Sequence, residues 1–256
     1  MLFQGQLISR DMIQYVFELI GTMVLVLLGD GVCAATSLNK SKAKGGGWVV
    51  IALGWGLAVM LGVLISGPVS GAHLNPVVSV GLAAAGLFSW SLVPGYVVAQ
   101  MVGGFLGACL VWSFYKDHYK ATADQPDTIL GTFCTMPAIE NKWRNFWCEC
   151  VATWLLVFCI LAIGWGSNVF SVGEASSSIG AIGSWPVTCV IMSIGMSLGG
   201  TTGYAMNPAR DLSPRCAHAV LPIEGKRDSG WGYSWVPVLG PLAGCLLAAG
   251  LYLLVF

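Results

Sequence analysis

Two short apolar stretches, each opened by the dipeptide Asn-Pro, constrain the fold more than any other feature of this sequence. They run over residues 76–87 and 208–221 and begin at Asn75-Pro76 and Asn207-Pro208. Proline is well tolerated at the first position of a helix, and asparagine is a good N-cap. Each dipeptide therefore predicts a helix that is too short to cross a bilayer, which takes about 20 apolar residues.

Six longer apolar runs are long enough to cross a membrane. Only 9% of the 256 residues are charged, whereas soluble domains usually carry about 25%, so the charges cannot cover a water-soluble protein of this size. The net charge is zero, which gives no basic patch for nucleic acid. We predict an all-α membrane protein with spans near residues 12–34, 48–66, 90–114, 146–165, 179–200 and 233–256.

The chain contains an internal repeat. The Asn-Pro dipeptides lie 132 positions apart, and a Glu-x-x-x-Thr pattern at Glu18 recurs 131 positions later at Glu149. Each half would hold three spans, an odd number, so the second half starts from the opposite side of the membrane. We therefore expect one channel domain over residues 1–256, built as an inverted repeat of halves at about 10–120 and 140–256. The two half-helices would enter from opposite faces and meet N-terminus to N-terminus near the midplane.

The segments before the two half-helices should line a pore. Irregular backbone at membrane depth occurs only where it is buried in protein or lines a wet cavity. We expect residues 71–74 and 203–206 to be extended, with carbonyls facing the pore and the amides of Asn75 and Asn207 donating to passing oxygens. Two converging helix N-termini place about half a positive charge each at the centre, which repels cations and protons. The expected pore-lining carbonyls belong to Gly71, Ala72, His73, Gly203, Ala205 and Met206.

Several motifs resemble the aquaporin superfamily of major intrinsic proteins. SGAHLNP (70–76) and GYAMNPARD (203–211) are similar to its two signature loops, while NPARD, LGWGLAV (53–59) and FELIGT (17–22) resemble the glycerol-conducting aquaglyceroporin branch. The resemblance runs from about residue 12 to the end. One departure is Val77, where the family usually has alanine. Val77 either reshapes the central constriction or packs against the other half, and we favour packing.

The resemblance implies a selectivity filter made of Trp55, Gly195, Tyr204 and Arg210. In such a filter the two aromatic rings hold the carbon edge of glycerol and Gly195 leaves space. Arg210, with the carbonyls of Tyr204 and Ala205, takes the hydroxyls. The alternative for Arg210 is a structural salt bridge with Asp211 or another acid.

Two isolated acids, Glu18 and Glu149, lie in apolar helices. They are either proton-coupling groups of an active transporter or braces that accept hydrogen bonds from the irregular loops, and repeat symmetry favours bracing. His73 is either a pH gate or a hydrogen-bonding group that stabilises its loop, and we favour the second. The sequence shows no metal-ligand spacing and no nucleophile–base arrangement, so we expect no enzyme activity, no metal and no cofactor.

The resemblance implies a passive channel for glycerol, water and other small neutral solutes such as urea. Two alternatives stay open, namely a proton-coupled secondary transporter of a small polyol and a water-specialised pore. The resemblance also implies a homotetramer in the plasma membrane. The expected partners are the solutes, the lipid bilayer and the other copies of the chain.

The family topology places both termini in the cytoplasm, which conflicts with the usual excess of basic residues on the inner side. Of the 12 basic residues, only Arg10 falls inside. Asn39-Lys40-Ser41 is a formal glycosylation sequon, a weak indication that this loop is outside. The basic residues that fall outside are Lys40, Lys42, Lys44, Lys116, Lys120, Lys142, Arg144, Arg210, Arg215, Lys226 and Arg227.

Overall fold

A computed structural model describes residues 9–169 and 183–256 of the chain. Within these ranges all the regular structure is helical. The helices are α1 (Arg10–Ser37), α2 (Gly47–Ser70), α3 (Pro76–Ala84), α4 (Val93–Phe114), α5 (Lys116–Lys120), α6 (Pro126–Gly131), α7 (Lys142–Val169), α8 (Trp185–Ser197), α9 (Pro208–Val220) and α10 (Val236–Val255).

Five of the described helices, α1, α2, α4, α7 and α10, are long and apolar enough to cross a membrane. They coincide with five of the predicted spans. The span predicted at 179–200 is described only from residue 183, where α8 covers Trp185–Ser197, and its first part lies outside the described residues. The segment between the predicted spans 90–114 and 146–165 contains two short helices, α5 and α6, and Pro126 occupies the first turn of α6.

The two half-length helices begin where the Asn-Pro dipeptides predicted. In α3 the side chain of Asn75 accepts a hydrogen bond from the backbone N–H of Val77, and in α9 Asn207 accepts from Ala209 and Arg210. Each helix thus starts with an asparagine N-cap followed by proline.

The packing of the helices repeats between the halves. In the first half α1 contacts α2 and α4, and in the second half α7 contacts α8 and α10. The half-helices pack across the repeat, since α3 lies against α10 and α9 lies against α4. The two halves therefore hold each other's half-helix at the centre of one helical body.

Paired glycines let the main helices approach closely in both halves. A Cβ on Gly103 or Gly107 of α4 would lie 2.3 Å from the carbonyl oxygen of Leu19 or 2.6 Å from that of Met23, both in α1. A Cβ on Gly244 of α10 would lie 2.2 Å from the carbonyl of Cys150 in α7, and Gly240 has a similar close neighbour. Both pairs have the small-xxx-small spacing that brings helix backbones together in membranes.

Apolar stripes cover the outer surface of the helices. On α2 exposed residues recur every fourth position, which keeps them on one side of the helix, and α4 shows the same pattern. Such a surface suits contact with lipid and not with water. The exposed residues of the two stripes are Val49, Leu53, Leu57, Leu61, Ile65, Val98, Val102, Leu106, Leu110 and Phe114.

Candidate functional site

The two N-capping asparagines are tied crosswise at the centre of the molecule. Asn75 Nδ2 donates to the carbonyl of Met206 at 2.9 Å, and Asn207 Nδ2 donates to the carbonyl of Leu74 at 2.8 Å. The predicted meeting of the two half-helices is therefore present. An amide NH₂ has two N–H donors, so each asparagine keeps one beyond its bond to the opposite loop.

The loops before the half-helices differ from the extended conformation that we expected. Gly71, Ala72 and Leu74 have φ values of 83°, 51° and 52°, in the left-handed region. Gly203, Tyr204 and Met206 repeat the pattern with 86°, 39° and 50°. Non-glycine residues adopt this region rarely, at a cost of order 1–3 kcal/mol each. Surrounding contacts must therefore hold both loops in place.

Glu18 provides these contacts for the first loop. Its Oε1 accepts from the backbone N–H of His73 at 2.9 Å and from the hydroxyl of Ser70 at 2.7 Å. Its Oε2 accepts from the backbone N–H of Leu74 at 2.7 Å and from Gln100 Nε2 at 2.8 Å. Both carboxylate oxygens are thus occupied by donors, two of them from the strained loop.

Glu149 holds the second loop in the same way. Its Oε1 accepts from Ala205 N–H at 2.9 Å and from the hydroxyl of Thr202 at 2.6 Å, and its Oε2 accepts from Met206 N–H at 2.9 Å. These are the contacts that the bracing interpretation of both glutamates requires.

A cavity of about 180 Å³ runs beside the crossed asparagines. Both loops and both asparagines contribute to its wall, together with apolar side chains from the long helices and α8. Of the six residues whose carbonyls we expected to line a pore, five border the cavity and Gly203 does not. The carbonyl of Met206 is engaged by Asn75.

Arg210 lies in this wall and contacts Trp55. Its guanidinium carbon is 3.9 Å from the centroid of the Trp55 ring, a cation–π arrangement. In the expected filter the aromatic rings hold the carbon edge of glycerol and Arg210 takes its hydroxyls, and in the structure the side chains of Arg210 and Trp55 touch. The nearest acid is Asp30 of α1, whose Oδ1 is 3.8 Å from Arg210 Nη1.

Asp211, the partner considered for Arg210, is bound to Arg215 instead. Arg215 donates to Asp211 Oδ1 from Nη2 at 2.8 Å, and Asp211 Oδ2 accepts from the backbone N–H and hydroxyl of Thr135. Arg215 also donates to the carbonyls of Ser229 and Gly230. This buried network joins α9 to the segments before α7 and α10.

Gly195 makes room for an aromatic ring and does not border the cavity. A Cβ at this position would lie 2.9 Å from Tyr204 Cζ. Trp48 adds an edge-to-face contact to Tyr204 at 5.7 Å and donates to the Gly195 carbonyl at 2.8 Å. The Tyr204 ring thus fills the space that we expected Gly195 to leave open.

The structure also places two residues whose roles were open. Val77 lies in a buried apolar cluster with Val157 and Cys245, which agrees with the packing interpretation. His73 Nδ1 is 2.9 Å from the hydroxyl of Ser79, and its ring packs against Phe88 and Tyr96.

Sequence reasoning missed Asp30, Arg215 and Trp48. Asp30 and Arg215 are charged residues inside largely apolar segments, which is itself a signal of a buried role. Trp48 carries no such signal, because a tryptophan near a helix end is usually an interface anchor. Among the residues that the structure describes, no group of three histidine, cysteine or acidic side chains could hold a metal ion.

Comparisons with known proteins agree with this architecture. Residues 8–252 match the family described as Major intrinsic protein. Glycerol uptake facilitator protein 3 of Lactiplantibacillus plantarum is 50% identical over 240 residues, covering 94% of this chain and 95% of the relative. The glycerol uptake facilitator protein of Bacillus subtilis is 48% identical over 227 residues, covering 89% of this chain and 79% of the relative.

A solved structure shows the same fold. The X-ray structure of the aquaglyceroporin from Plasmodium falciparum matches with a TM-score of 0.78 at 29% identity, covering 94% of this chain and 95% of that one. The all-helical, aquaporin-like fold and the resemblance to the aquaglyceroporin branch are thereby confirmed. The chain is a multi-pass membrane protein, and it belongs to the major intrinsic protein family, a family of channels and facilitators.

Proposed function

We propose that this protein is a passive channel for glycerol, water and other small neutral solutes such as urea, and that it excludes ions and protons. The observation that carries the proposal is the crossed pair of asparagines beside one cavity. Asn75 and Asn207 present the N-termini of two opposed half-helices to the same lumen. The positive N-terminal ends of the two half-helices repel cations, while the free amide donors of Asn75 and Asn207 suit hydroxyl and water oxygens.

Glycerol as the main solute is supported by the relatives, which are named glycerol uptake facilitators. The wall of the cavity suits a triol, because it combines aliphatic side chains and the rings of Trp55 and Tyr204 with the guanidinium of Arg210. We assign these residues, with Gly195 behind Tyr204, to the selectivity filter. Glycerol would lay its carbon edge on the aromatic wall and donate or accept hydrogen bonds along the loop carbonyls and Arg210.

Proton-coupled transport fits the geometry less well. The carboxylate oxygens of Glu18 and Glu149 all accept hydrogen bonds from donors that hold the loops. A transport cycle that protonated either acid would have to break bonds on which the shape of the loops depends. We therefore assign both glutamates to loop bracing.

We place the channel in the plasma membrane as a homotetramer, with both termini in the cytoplasm and the two repeat halves forming one domain. Several of the basic residues that fall outside make contacts within the protein, so fewer of them bear on the orientation of the chain in the membrane. Arg210 borders the cavity and Arg215 is buried in the network with Asp211. Lys226 donates to three carbonyls at the end of α9, and Arg227 pairs with Asp127. Arg210, Arg215 and Lys226 are placed by contacts of the fold and say little about orientation, whereas Arg227 and Asp127 form an exposed surface pair.

Stopped-flow light scattering of proteoliposomes tests the proposal. After a glycerol gradient is imposed, vesicles with the protein should reswell faster than empty vesicles, and an uncoupler should leave the rate unchanged. The ratio of water to glycerol permeability separates a glycerol channel from a water-specialised pore. Accumulation of glycerol against its gradient, or loss of flux with the uncoupler, would reject the channel in favour of a transporter.

A further inference from the structure

Asp30 of α1 is a buried acid that the channel mechanism above does not use. Its side chain is 1% exposed, and neither carboxylate oxygen has a hydrogen-bond partner among the described residues. Its one close charged neighbour there is Arg210, with 3.8 Å between Oδ1 and Nη1. A buried charge is strongly disfavoured unless it is paired, and Arg210 is the one cation within 4 Å of Asp30 among the described residues.

Arg210 in turn has no other acid to pair with in the described structure. Asp211, its neighbour in sequence, accepts from Arg215 and Thr135. Among the described residues that border the cavity, none is a lysine, an aspartate or a glutamate, and Arg210 is the one arginine. The charge that a solute meets at this point of the wall is therefore set by Arg210 together with Asp30 behind it.

The same turn of α1 also holds Trp55, the ring on which Arg210 lies. A Cβ on Gly29 would fall 2.2 Å from Trp55 Cζ3, and Trp55 Nε1 donates to Cys33 Sγ at 3.4 Å. Asp30 thus lies on the turn of α1 that packs against Trp55, with its carboxylate 3.8 Å from the guanidinium of Arg210.

We propose that Asp30 is a specificity-determining residue of the filter, whose negative charge offsets that of Arg210 and so keeps small anions from binding beside the guanidinium. A lone guanidinium offers paired N–H donors that match planar oxyanions and carboxylates. With the carboxylate of Asp30 directly behind it, an approaching anion meets a nearly neutral pair. The proposal rests on the proposed function, since it assigns Arg210 to the filter of a channel for neutral solutes.

The exchange Asp30→Asn tests the proposal, because asparagine has the same shape without the charge. Glycerol flux into proteoliposomes is measured while sodium gluconate is replaced stepwise by sodium nitrate at constant osmolarity. Nitrate is planar, small and fully ionised, whereas gluconate is larger and not planar. Nitrate should slow glycerol flux, or itself enter the vesicles, in the Asp30→Asn protein at concentrations that leave the wild type unaffected. We expect nitrate to act at a concentration at least about tenfold lower than in the wild type, since the repulsion between unit charges a few ångströms apart at an effective dielectric constant of about 20 exceeds the free energy of a tenfold change.

Three variants serve as controls. Asp30→Glu keeps the charge and should restore resistance to nitrate. Asp117→Asn makes the same chemical change at an exposed position of α5 and should behave as the wild type. The double variant Asp30→Asn/Arg210→Gln should lose the nitrate effect, because the anion would have no guanidinium to bind.

The outcomes separate this proposal from the proposed function. Wild-type vesicles that pass no glycerol would refute the channel itself. If the wild type passes glycerol and nitrate does not affect flux through the Asp30→Asn protein, only the role of Asp30 is overturned. The same result is expected if the carboxyl of Asp30 is uncharged. If Asp30→Asn does not reach the membrane, Asp30→Ser carries the same test. Block of the wild type by nitrate at low concentration overturns the proposal without any variant.

Discussion

Asn75 donates a hydrogen bond from its side-chain amide to the backbone carbonyl of Met206, across 2.9 Å between the two halves of the chain. The reciprocal bond from Asn207 to Leu74 measures 2.8 Å. Each asparagine therefore caps its own half-helix and holds the loop that precedes the other one. One residue type at two positions thus couples helix start, loop shape and the wall of the cavity.

Replacing Asn75 by aspartate should separate these roles. A carboxylate can still cap α3 through Val77 N–H, but it cannot donate to Met206. The buried carbonyl would lose its partner, which we expect to cost about 1–3 kcal/mol of stability, measured by thermal unfolding in detergent. The new negative charge should also cancel part of the half positive charge at the helix terminus and raise sodium leakage into vesicles. Asn207→Asp should behave alike, and a sodium leak unchanged in both would contradict the proposed cation barrier.

Replacing Glu18 by glutamine should mainly destabilise the protein. The new amide group would face the donors that now bind one carboxylate oxygen, so bonds to the first loop would be lost. We expect a loss of about 2–4 kcal/mol and lower glycerol flux that an uncoupler does not alter. Glu140→Gln, at an exposed position before α7, is the matched control and should change neither quantity. If the Glu18→Gln protein were as stable as the wild type, and glycerol flux depended on a proton gradient in the wild type but not in the variant, a transporter would be supported instead.

Adding a single methyl group at Gly195 should narrow the channel. The Cβ of Gly195→Ala would lie 2.9 Å from Tyr204 Cζ, so the ring must move, and it already borders the cavity. We expect glycerol flux to fall several-fold, with a smaller effect on water because water is narrower. Gly200→Ala provides the control, since nothing lies within 4 Å of a Cβ there. Equal glycerol flux in both variants would show that Tyr204 does not limit passage.

The sequence was sufficient where the signal is local or repeats within the chain. Asn-Pro marks the start of α3 and α9 through capping chemistry, and the recurrence of Glu18 at Glu149 revealed the repeat. The apolar runs predicted the positions of the five described spans because a bilayer imposes a fixed length. These inferences need only one segment at a time, or two that share a pattern.

The remaining features depend on contacts between segments distant in the chain. The left-handed φ of Ala72 and Tyr204 follows from acids that are more than fifty residues away, and alanine and tyrosine carry no sign of such strain. The pairing of Arg210 with Asp30 and not Asp211 depends on how α1 packs against α9. The glycines at 103 and 107 did carry a readable pattern, the small-xxx-small spacing, which the sequence analysis did not use.

If solute passes through the cavity between the two half-helices, a bulky side chain at one lining position should block it. Ile191 of α8 borders the cavity and is 7% exposed, whereas Val98 of α4 is 63% exposed on the outer surface. Stopped-flow glycerol flux should fall to the level of empty vesicles for Ile191→Trp and stay near that of the wild type for Val98→Trp. Undiminished flux through a correctly inserted Ile191→Trp protein would show that solute does not pass through this cavity.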